Sequence, residues 1–385
     1  MRVAMLGWEF PPFASGGLGV HCYELTRKLA EMGVQIDFYM PRCRERPRSL
    51  HPNLRIIEVD ATTVNPYSGA KTQQLRETYG WSLFDAVASY NRLAVECVLA
   101  EIEKGAYYNV VHNHDWLTVA AAGELKMRQG LPLVFTVHST EYDRASVPWD
   151  RLLSVERQGI AQADRVITVS NRMRERLMQM GAPDWKVRVI YNAVNGELYD
   201  KYDAWREKNR KIVLFLGRMV EQKGPMQFLY AAKKVSGRVP EARFVMAGTG
   251  DMLPQLISKS IELGLQDKVI FTGYLSEDEQ RKAYAGSDVY VMPSVSEPFG
   301  ITALEAMASG TPLIISKSSG VGEIVKNVLQ VDFWDVDELS AKLIALLKYP
   351  ALRREMSKEE LKEVRKFTWS TTAAKTLEVY KEVAR

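Results

Sequence analysis

Val289-Tyr290-Val291-Met292-Pro293-Ser294 runs into Val295-Ser296-Glu297-Pro298-Phe299-Gly300 and then into Ile301-Thr302-Ala303-Leu304-Glu305-Ala306-Met307-Ala308-Ser309-Gly310. The first six residues form a near-continuous apolar run, as expected of a strand covered on both faces. The last ten read as a helix stopped by Gly310. A second apolar run at 312–316 follows at once. Strand, helix and strand in this order predict a right-handed βαβ crossover and a parallel sheet.

The same grammar extends in both directions. Short β-rich runs, mostly apolar, at 3–8, 34–40, 54–59, 110–114, 131–138, 165–170 and 187–191 precede those at 211–217, 242–248, 269–275, 289–294 and 312–316. Helical stretches such as 20–32 and 225–239 separate them. The fold class is therefore α/β, with two doubly wound Rossmann-like halves. A chain of 385 residues also exceeds what one core usually fills. Between Asn195 and Lys211 the sequence turns charged and aromatic-polar, starting Gly196-Glu197-Leu198-Tyr199-Asp200, and a new strand begins afterwards. This places the domains at 1–195 and 196–367, with a final segment 368–385 carrying a helix from about Trp369 to Ala384.

Composition narrows the function classes. Apolar residues at 46% and charged residues at 25% suit a globular enzyme. A net charge of +4, from 51 basic and 47 acidic residues, is too small and dispersed to argue for nucleic acid, and it is compatible with an anionic substrate. Cys22, Cys43 and Cys97 lack metal-ligand spacing and point to a reducing, cytoplasmic setting rather than a disulfide scaffold. The N-terminal run meets Glu9 too early for a signal peptide, and no 18-residue apolar stretch follows, so no transmembrane segment is expected. Arg42, Arg44, Arg46 and Arg48 suit an anionic surface, but without an amphipathic anchor they read as a solvated loop.

Four motifs carry chemistry, each just after a predicted strand, where open α/β sheets bind ligands. Ser15-Gly16-Gly17-Leu18-Gly19 precedes a helix, and its glycines let backbone approach a phosphate, although a plain tight turn has the same sequence. Val110-Val111-His112-Asn113-His114-Asp115-Trp116 and Phe135-Thr136-Val137-His138 set three of the five histidines and an aspartate at neighbouring strand ends. These are open to three uses: metal ligation, acid/base work or binding of sugar hydroxyls. No acidic ligand at fixed spacing downstream supports zinc. Arg218 and Lys223, five positions apart in a loop, offer a fork and a point charge to a diphosphate. In the opening stretch the amides of Gly300, Ile301 and Thr302 face an anion at a helix start, with Glu297 in the loop and Glu305 about one turn into the helix.

Glu297-Pro298-Phe299-Gly300 with Glu305 resembles the E-x7-E signature of the retaining GT-B glycosyltransferases of family four, which include the glycogen and starch synthases. The Gly-Gly-Leu turn, His114-Asp115-Trp116, Thr136-Val137-His138, Val169-Ser170, Asn192 and the Arg218/Lys223 pair follow in the family's order over nearly the whole chain. The resemblance implies two domains facing across a cleft, with the C-terminal helix crossing back to the N-terminal, acceptor-side domain. It implies a hexose, glucose above all, passing from a nucleoside-diphosphate sugar to an acceptor such as the non-reducing end of an α-1,4-glucan, with no cofactor and no catalytic metal. Arg218 and Lys223 would hold the diphosphate and assist its departure, with Gly17, Gly300, Ile301 and Thr302 completing the anion site. Glu305 would bind ribose, Glu297 the transferred sugar, Tyr274 the base, and Asn192 and His138 the donor sugar, while Asp115 would face donor sugar or acceptor.

Bacterial glycogen synthases carry lysine where this chain has Ser15, and Thr-Gly-Gly near Ser319-Gly320-Val321-Gly322, which leaves the donor base open between ADP and UDP. Transfer to a lipid or sugar-phosphate acceptor is the nearest alternative. A sugar-nucleotide epimerase and a non-catalytic nucleotide-sugar-binding subunit are alternatives of other classes.

Overall fold

The computed structural model describes residues 1–12, 16–43, 51–61, 83–199 and 210–384. Ser15, Arg44, Arg46 and Arg48 lie outside the described residues, as does the stretch 200–209. The chain divides into two compact units, Met1–Asn192 with Trp369–Arg385, and Ala193–Thr368.

The first unit is built on a parallel sheet of β1 (Arg2–Leu6), β2 (Gln35–Pro41), β3 (Leu54–Val59), β4 (Val110–His114), β5 (Leu133–Val137), β6 (Arg165–Thr168) and β7 (Val187–Val189), in the order β3-β2-β1-β4-β5-β6-β7. Parallel strands need long crossovers, and the helices Gly17–Glu31, Leu83–Glu103, Val119–Gln129, Asp150–Gln162 and Asn171–Gln179 lie in these connections. Strands β1 and β4 are buried almost throughout; β1 is apolar after Arg2, whereas β4 sets His112, Asn113 and His114 in buried positions after two valines. The chain's last helix, Trp369–Val383, joins this unit. Its Ala373, Val379 and Tyr380 enter the same apolar core as Val3, Leu25, Phe38 and Val110. Thr372 Oγ1 donates to the Tyr191 carbonyl at 2.9 Å, and the Tyr380 hydroxyl bonds His112 Nδ1 at 2.6 Å.

The second unit repeats the plan with β8 (Lys211–Leu216), β9 (Ala242–Ala247), β10 (Val269–Gly273), β11 (Val289–Met292), β12 (Leu313–Ser316) and β13 (Leu329–Val331), in the order β10-β9-β8-β11-β12-β13. The helices Pro225–Ser236 and Val336–Lys348 contribute Phe228, Leu229, Leu339 and Leu343 to one core with β8, β9 and β11. The apolar runs overshoot these strands by one or two residues, because the runs continue into the first turn of the loops. Strand β13 has no counterpart among the predicted strands: Leu329-Gln330-Val331 is three residues long and one of them is polar. Among the described residues no helix is long and apolar enough to cross a membrane. Arg42 pairs with Asp60 at 3.0 Å on an exposed site.

In each sheet the strand order reverses once, between β1 and β4 and between β8 and β11. At such a switch point the flanking crossovers diverge and leave a crevice beyond the carboxyl ends.

Tyr380 ties the last helix to the first sheet by burial and by its hydroxyl. Replacing it with alanine should cost about 3–5 kcal/mol, the usual range for removing a buried aromatic. Tyr380→Phe should cost about 1–2 kcal/mol, because it leaves His112 Nδ1 unpaired. Urea midpoints of the three proteins check this; equal midpoints for alanine and phenylalanine variants would show that the helix is not held this way.

Candidate functional site

In the first unit, the ends of β4 and β5 converge. Asp115, the residue after β4, has φ 53° and ψ 177°, a region that side chains other than glycine rarely occupy. Two bonds hold it there: its N–H donates to the Thr136 carbonyl at 2.9 Å, and its Oδ1 accepts from the His138 N–H at 2.7 Å. Asp115 is thereby locked to the first residue beyond β5. Burial raises its carboxyl to about 6, against the opposing pull of Arg144 and of the backbone N–H groups of His138 and Ser139.

The imidazoles gather beside it. His114 Nδ1 and His138 Nε2 are 3.1 Å apart, and the two rings stack nearly parallel. His112, one layer further in, is bonded on both nitrogens, to Tyr380 and to Thr136 Oγ1 at 2.7 Å. His21, in the first helix, meets His138 edge-on with ring centroids 4.3 Å apart, and its Nδ1 lies 2.7 Å from Asn192 Oδ1. Trp369 packs against the same ring. His138, Asp115 and Asn192 thus come into one network, with His21 as the link between Asn192 and His138. Burial lowers His138 to about 3 and holds His21, His112 and His114 well below the usual histidine range. All four rings are neutral at pH 7. Gly17 opens the first helix and is exposed there.

In the second unit, the loop after β8 is stitched to the loop after β11. The N–H groups of Val295 and Ser296 both donate to the Gln222 carbonyl, at 2.9 and 3.4 Å. Gly224 has φ +67°, and a Cβ there would stand 2.1 Å from the Pro293 carbonyl oxygen, so only glycine permits this approach. The stitching brings Lys223 Nζ to Glu297 Oε2 at 2.5 Å, while Arg218 Nη2 donates to Gln222 Oε1 at 3.1 Å. Gly300, at φ +106°, lets the chain turn directly into the helix Ile301–Ala308, whose first residues are Ile301 and Thr302. Glu305 Oε2 accepts from the Tyr284 hydroxyl at 3.0 Å, and Tyr199 also donates to this carboxylate. Burial raises the Glu305 carboxyl in spite of both bonds. Tyr274 follows β10 at the sheet edge and is 65% exposed, two strands from β8.

Several contributors escape a reading of the motifs. His21 is one helical residue among many, and only the strand-to-helix turn before it hints that it returns to the sheet edge. Gln222 lies in the Arg218/Lys223 loop without a role read for it, Tyr284 and Tyr199 belong to no motif, and they act by holding Arg218 and Glu305.

The model described as Glycosyltransferase Family 4 matches residues 15–198, and that described as Glycosyl transferases group 1 matches residues 200–363. The chain is 31% identical to an uncharacterised glycosyltransferase of Methanocaldococcus jannaschii, over 99% of this chain and 98% of the relative. It is 29% identical to a glycogen synthase of Mycobacterium tuberculosis, over 99% and 94%. It is 30% identical to a D-inositol 3-phosphate glycosyltransferase of Thermobispora bispora, over 96% and 90%.

The buried imidazoles make a prediction about pH. An unfolded chain takes up these protons near pH 6.5, whereas the folded unit resists them far lower, to about 3 for His138. Their contribution to stability is therefore present above about 6.5 and is lost as pH falls from there towards 3. Asp115 works the other way: its contribution is full below the usual aspartate range and is lost as pH rises through about 6. Ring carbon and nitrogen shifts of labelled histidine should show His21, His112, His114 and His138 neutral at pH 5.5. A protonated ring among these four at that pH contradicts the assignment.

Proposed function

Since the chain belongs to the family 4, group 1 glycosyltransferases, we propose that it moves a hexose, glucose first among candidates, from a nucleoside-diphosphate sugar to a carbohydrate hydroxyl with retention of configuration and without a catalytic metal or cofactor. The observation that carries this is the set of groups gathered beyond β8 and β11: Arg218, Lys223, Glu297 and the helix start at Gly300, Ile301 and Thr302.

A diphosphate leaving group needs positive charge that grows in effect as the glycosidic bond lengthens. A guanidinium, an ammonium and free amides at a helix start supply it from fixed positions. The Lys223–Glu297 ion pair lets the two side chains satisfy each other before donor binds. With donor bound, we assign Lys223 to the diphosphate and Glu297 to sugar hydroxyls. Glu305 is assigned to ribose, Tyr274 to the base, and Gly17 to the anion site. In the first unit, neutral His138 and Asn192 are assigned to the donor sugar and Asp115 to donor sugar or acceptor. Retention is assigned to front-face attack: the acceptor oxygen bonds the anomeric carbon, the bond to the phosphate oxygen breaks, and the acceptor's proton passes to that departing oxygen. The protein's part is orientation and charge stabilisation.

For the acceptor, the glycogen synthase relative favours a glucan end. The D-inositol 3-phosphate glycosyltransferase relative favours a second possibility, a small phosphorylated polyol. ADP-glucose, UDP-glucose and GDP-mannose, each with glycogen, with inositol phosphate or with no acceptor, and all in EDTA, distinguish these by nucleoside diphosphate release and by the anomeric signal of the product. Acceptor-dependent release and an α-product support the proposal. A β-product rules out retention, activity abolished by EDTA rules out metal independence, and donor consumption without any glycoside points to an epimerase.

Arg218→Ala and Lys223→Ala should each lower kcat by about 10²–10³, the range for removing one preorganised group that stabilises transition-state charge. Loss confined to KM would assign the pair to ground-state binding alone. Because burial raises the Glu305 carboxyl, nucleoside diphosphate affinity should start to weaken above the ordinary carboxylate range as pH falls. In Glu305→Gln affinity is lower, and that component of the pH dependence vanishes. Parallel titrations of the two proteins by calorimetry would expose the opposite result.

A further inference from the structure

His21, His114 and His138 each offer a ring nitrogen, and the three nitrogens lie within 4.8 Å of one another. Asn192 fixes the first of them. Its Oδ1 only accepts, so the hydrogen of the neutral His21 ring sits on Nδ1, and Nε2 is left as a bare lone pair. That lone pair is buried and has no partner among the described residues. Native interiors rarely leave buried polar atoms unmatched, and each such atom marks a place where something else belongs. Burial also keeps all three rings in the neutral form that ligates metal.

We propose that His21, His114 and His138 form a three-nitrogen site for a borderline transition-metal ion of the Zn²⁺ class, with its fourth position open to water. Ligand chemistry selects the ion. Imidazole suits zinc, copper, nickel and iron, whereas magnesium and calcium need oxygen ligands. The neighbouring carboxylate, Asp115, is committed to the His138 N–H. Metal–nitrogen bonds of about 2.0–2.1 Å at tetrahedral angles place ligand atoms roughly 3.4 Å apart. His114 Nδ1 and His138 Nε2, at 3.1 Å, need only a small separation.

On binding, the hydrogen shared between those two nitrogens leaves their line. His138 then keeps its hydrogen on Nδ1, His114 on Nε2 and His21 on Nδ1, so three neutral rings hold the ion and no proton is released. The Nδ1–H of His21 donating to Asn192 is the outer-shell bond that ordinarily orients a metal-binding histidine. The site lies wholly in the first unit and is independent of the diphosphate groups. Where His138 serves the sugar, as assigned above, an ion on its Nε2 withdraws that nitrogen, so metal and sugar compete.

The test uses the tag-free full chain, stripped with EDTA and dialysed, titrated with Zn²⁺ by calorimetry and with Co²⁺ by visible absorption; Mg²⁺ is the comparison. One equivalent of Zn²⁺ per chain is expected, with intense tetrahedral d–d bands for Co²⁺ and no Mg²⁺ binding. His21→Gln and His114→Gln should each weaken Zn²⁺ by at least 100-fold, and Asn192→Ala, which removes only the outer-shell bond, by about 10–100-fold. His51→Gln, outside the cluster, should bind like the parent. Circular dichroism confirms that each variant is folded, and the Co²⁺ spectrum of the parent decides the geometry if the histidine variants fail to fold. Absence of stoichiometric Zn²⁺, a weak octahedral Co²⁺ spectrum, or equal binding by the parent and a folded His21→Gln protein overturns the proposal. A chain that binds Zn²⁺ but transfers no sugar from any donor retains this site and loses only the functional assignment.

Discussion

Parallel strands all end on the same edge, and the chain must leave that edge through loops that no ladder of hydrogen bonds supports. In each unit the strand order reverses once, at β1/β4 and at β8/β11, and there the backbone has to be held by other means. The two units solve this differently. In the first, Asp115 accepts an unfavourable φ because its N–H and its carboxylate both reach across to the end of β5. In the second, Gly224 allows two loops to touch where no side chain fits, and Gln222 supplies the carbonyl that two amides share. The positions of His138 and of Lys223 are consequences of these two devices. A side chain at either edge is only as well placed as the loop that carries it.

The electrostatics of the two edges differ as sharply as their geometry. Beyond β4 and β5 the titratable rings have lost their charge to burial, and they bond one another, Thr136, Tyr380 and Asn192. Beyond β8 and β11 the charges are paired: Lys223, partly exposed, meets the buried Glu297, and Arg218 is steadied by a neutral amide. A neutral, hydrogen-bonding surface suits hydroxyl groups, whose recognition gains nothing from net charge. A surface of paired charges suits an anion that can displace one partner. Removing either member of the Lys223–Glu297 pair leaves the other partly buried and uncompensated, so a substitution there disturbs its partner as well.

Most of this was legible in the sequence at the level of elements. Strands buried on both faces are mostly apolar, and that is why β1, β8 and β11 stand out. Their lengths fit the predicted runs to within a residue or two. Strand β13 does not stand out, since Leu329-Gln330-Val331 at the sheet edge needs only one fully buried side chain. Motifs revealed the residues that end strands, His114, Asp115, His138, Arg218 and Glu297, because sheet topology alone sends them to one edge. They did not reveal the residues that reach the edge sideways. His21 arrives from a helix, Tyr284 from another helix behind Glu305, and Arg144 from the short helix Glu141–Arg144 after β5. Helical periodicity marks which face is buried, and it cannot say which buried polar residue ends beside which strand.

Asn192 shows why that gap has chemical weight. As a motif residue it is a plausible contact for a sugar, yet its carbonyl oxygen is spent on His21 Nδ1. The bond settles the tautomer of His21 and turns the ring's other nitrogen into a buried lone pair without a partner among the described residues. An incoming hydroxyl meets that lone pair as a donor and leaves the charge of the cluster at zero. An incoming cation meets it as a ligand and brings two positive charges into a buried, neutral group of rings beside the Asp115 carboxylate. Which of the two the cluster prefers turns on whether metal–nitrogen bonding to three imidazoles outweighs the cost of burying that charge beside one aspartate already engaged with the His138 N–H. An amide beyond β7, two strands from β5, by fixing a single proton, makes both outcomes possible.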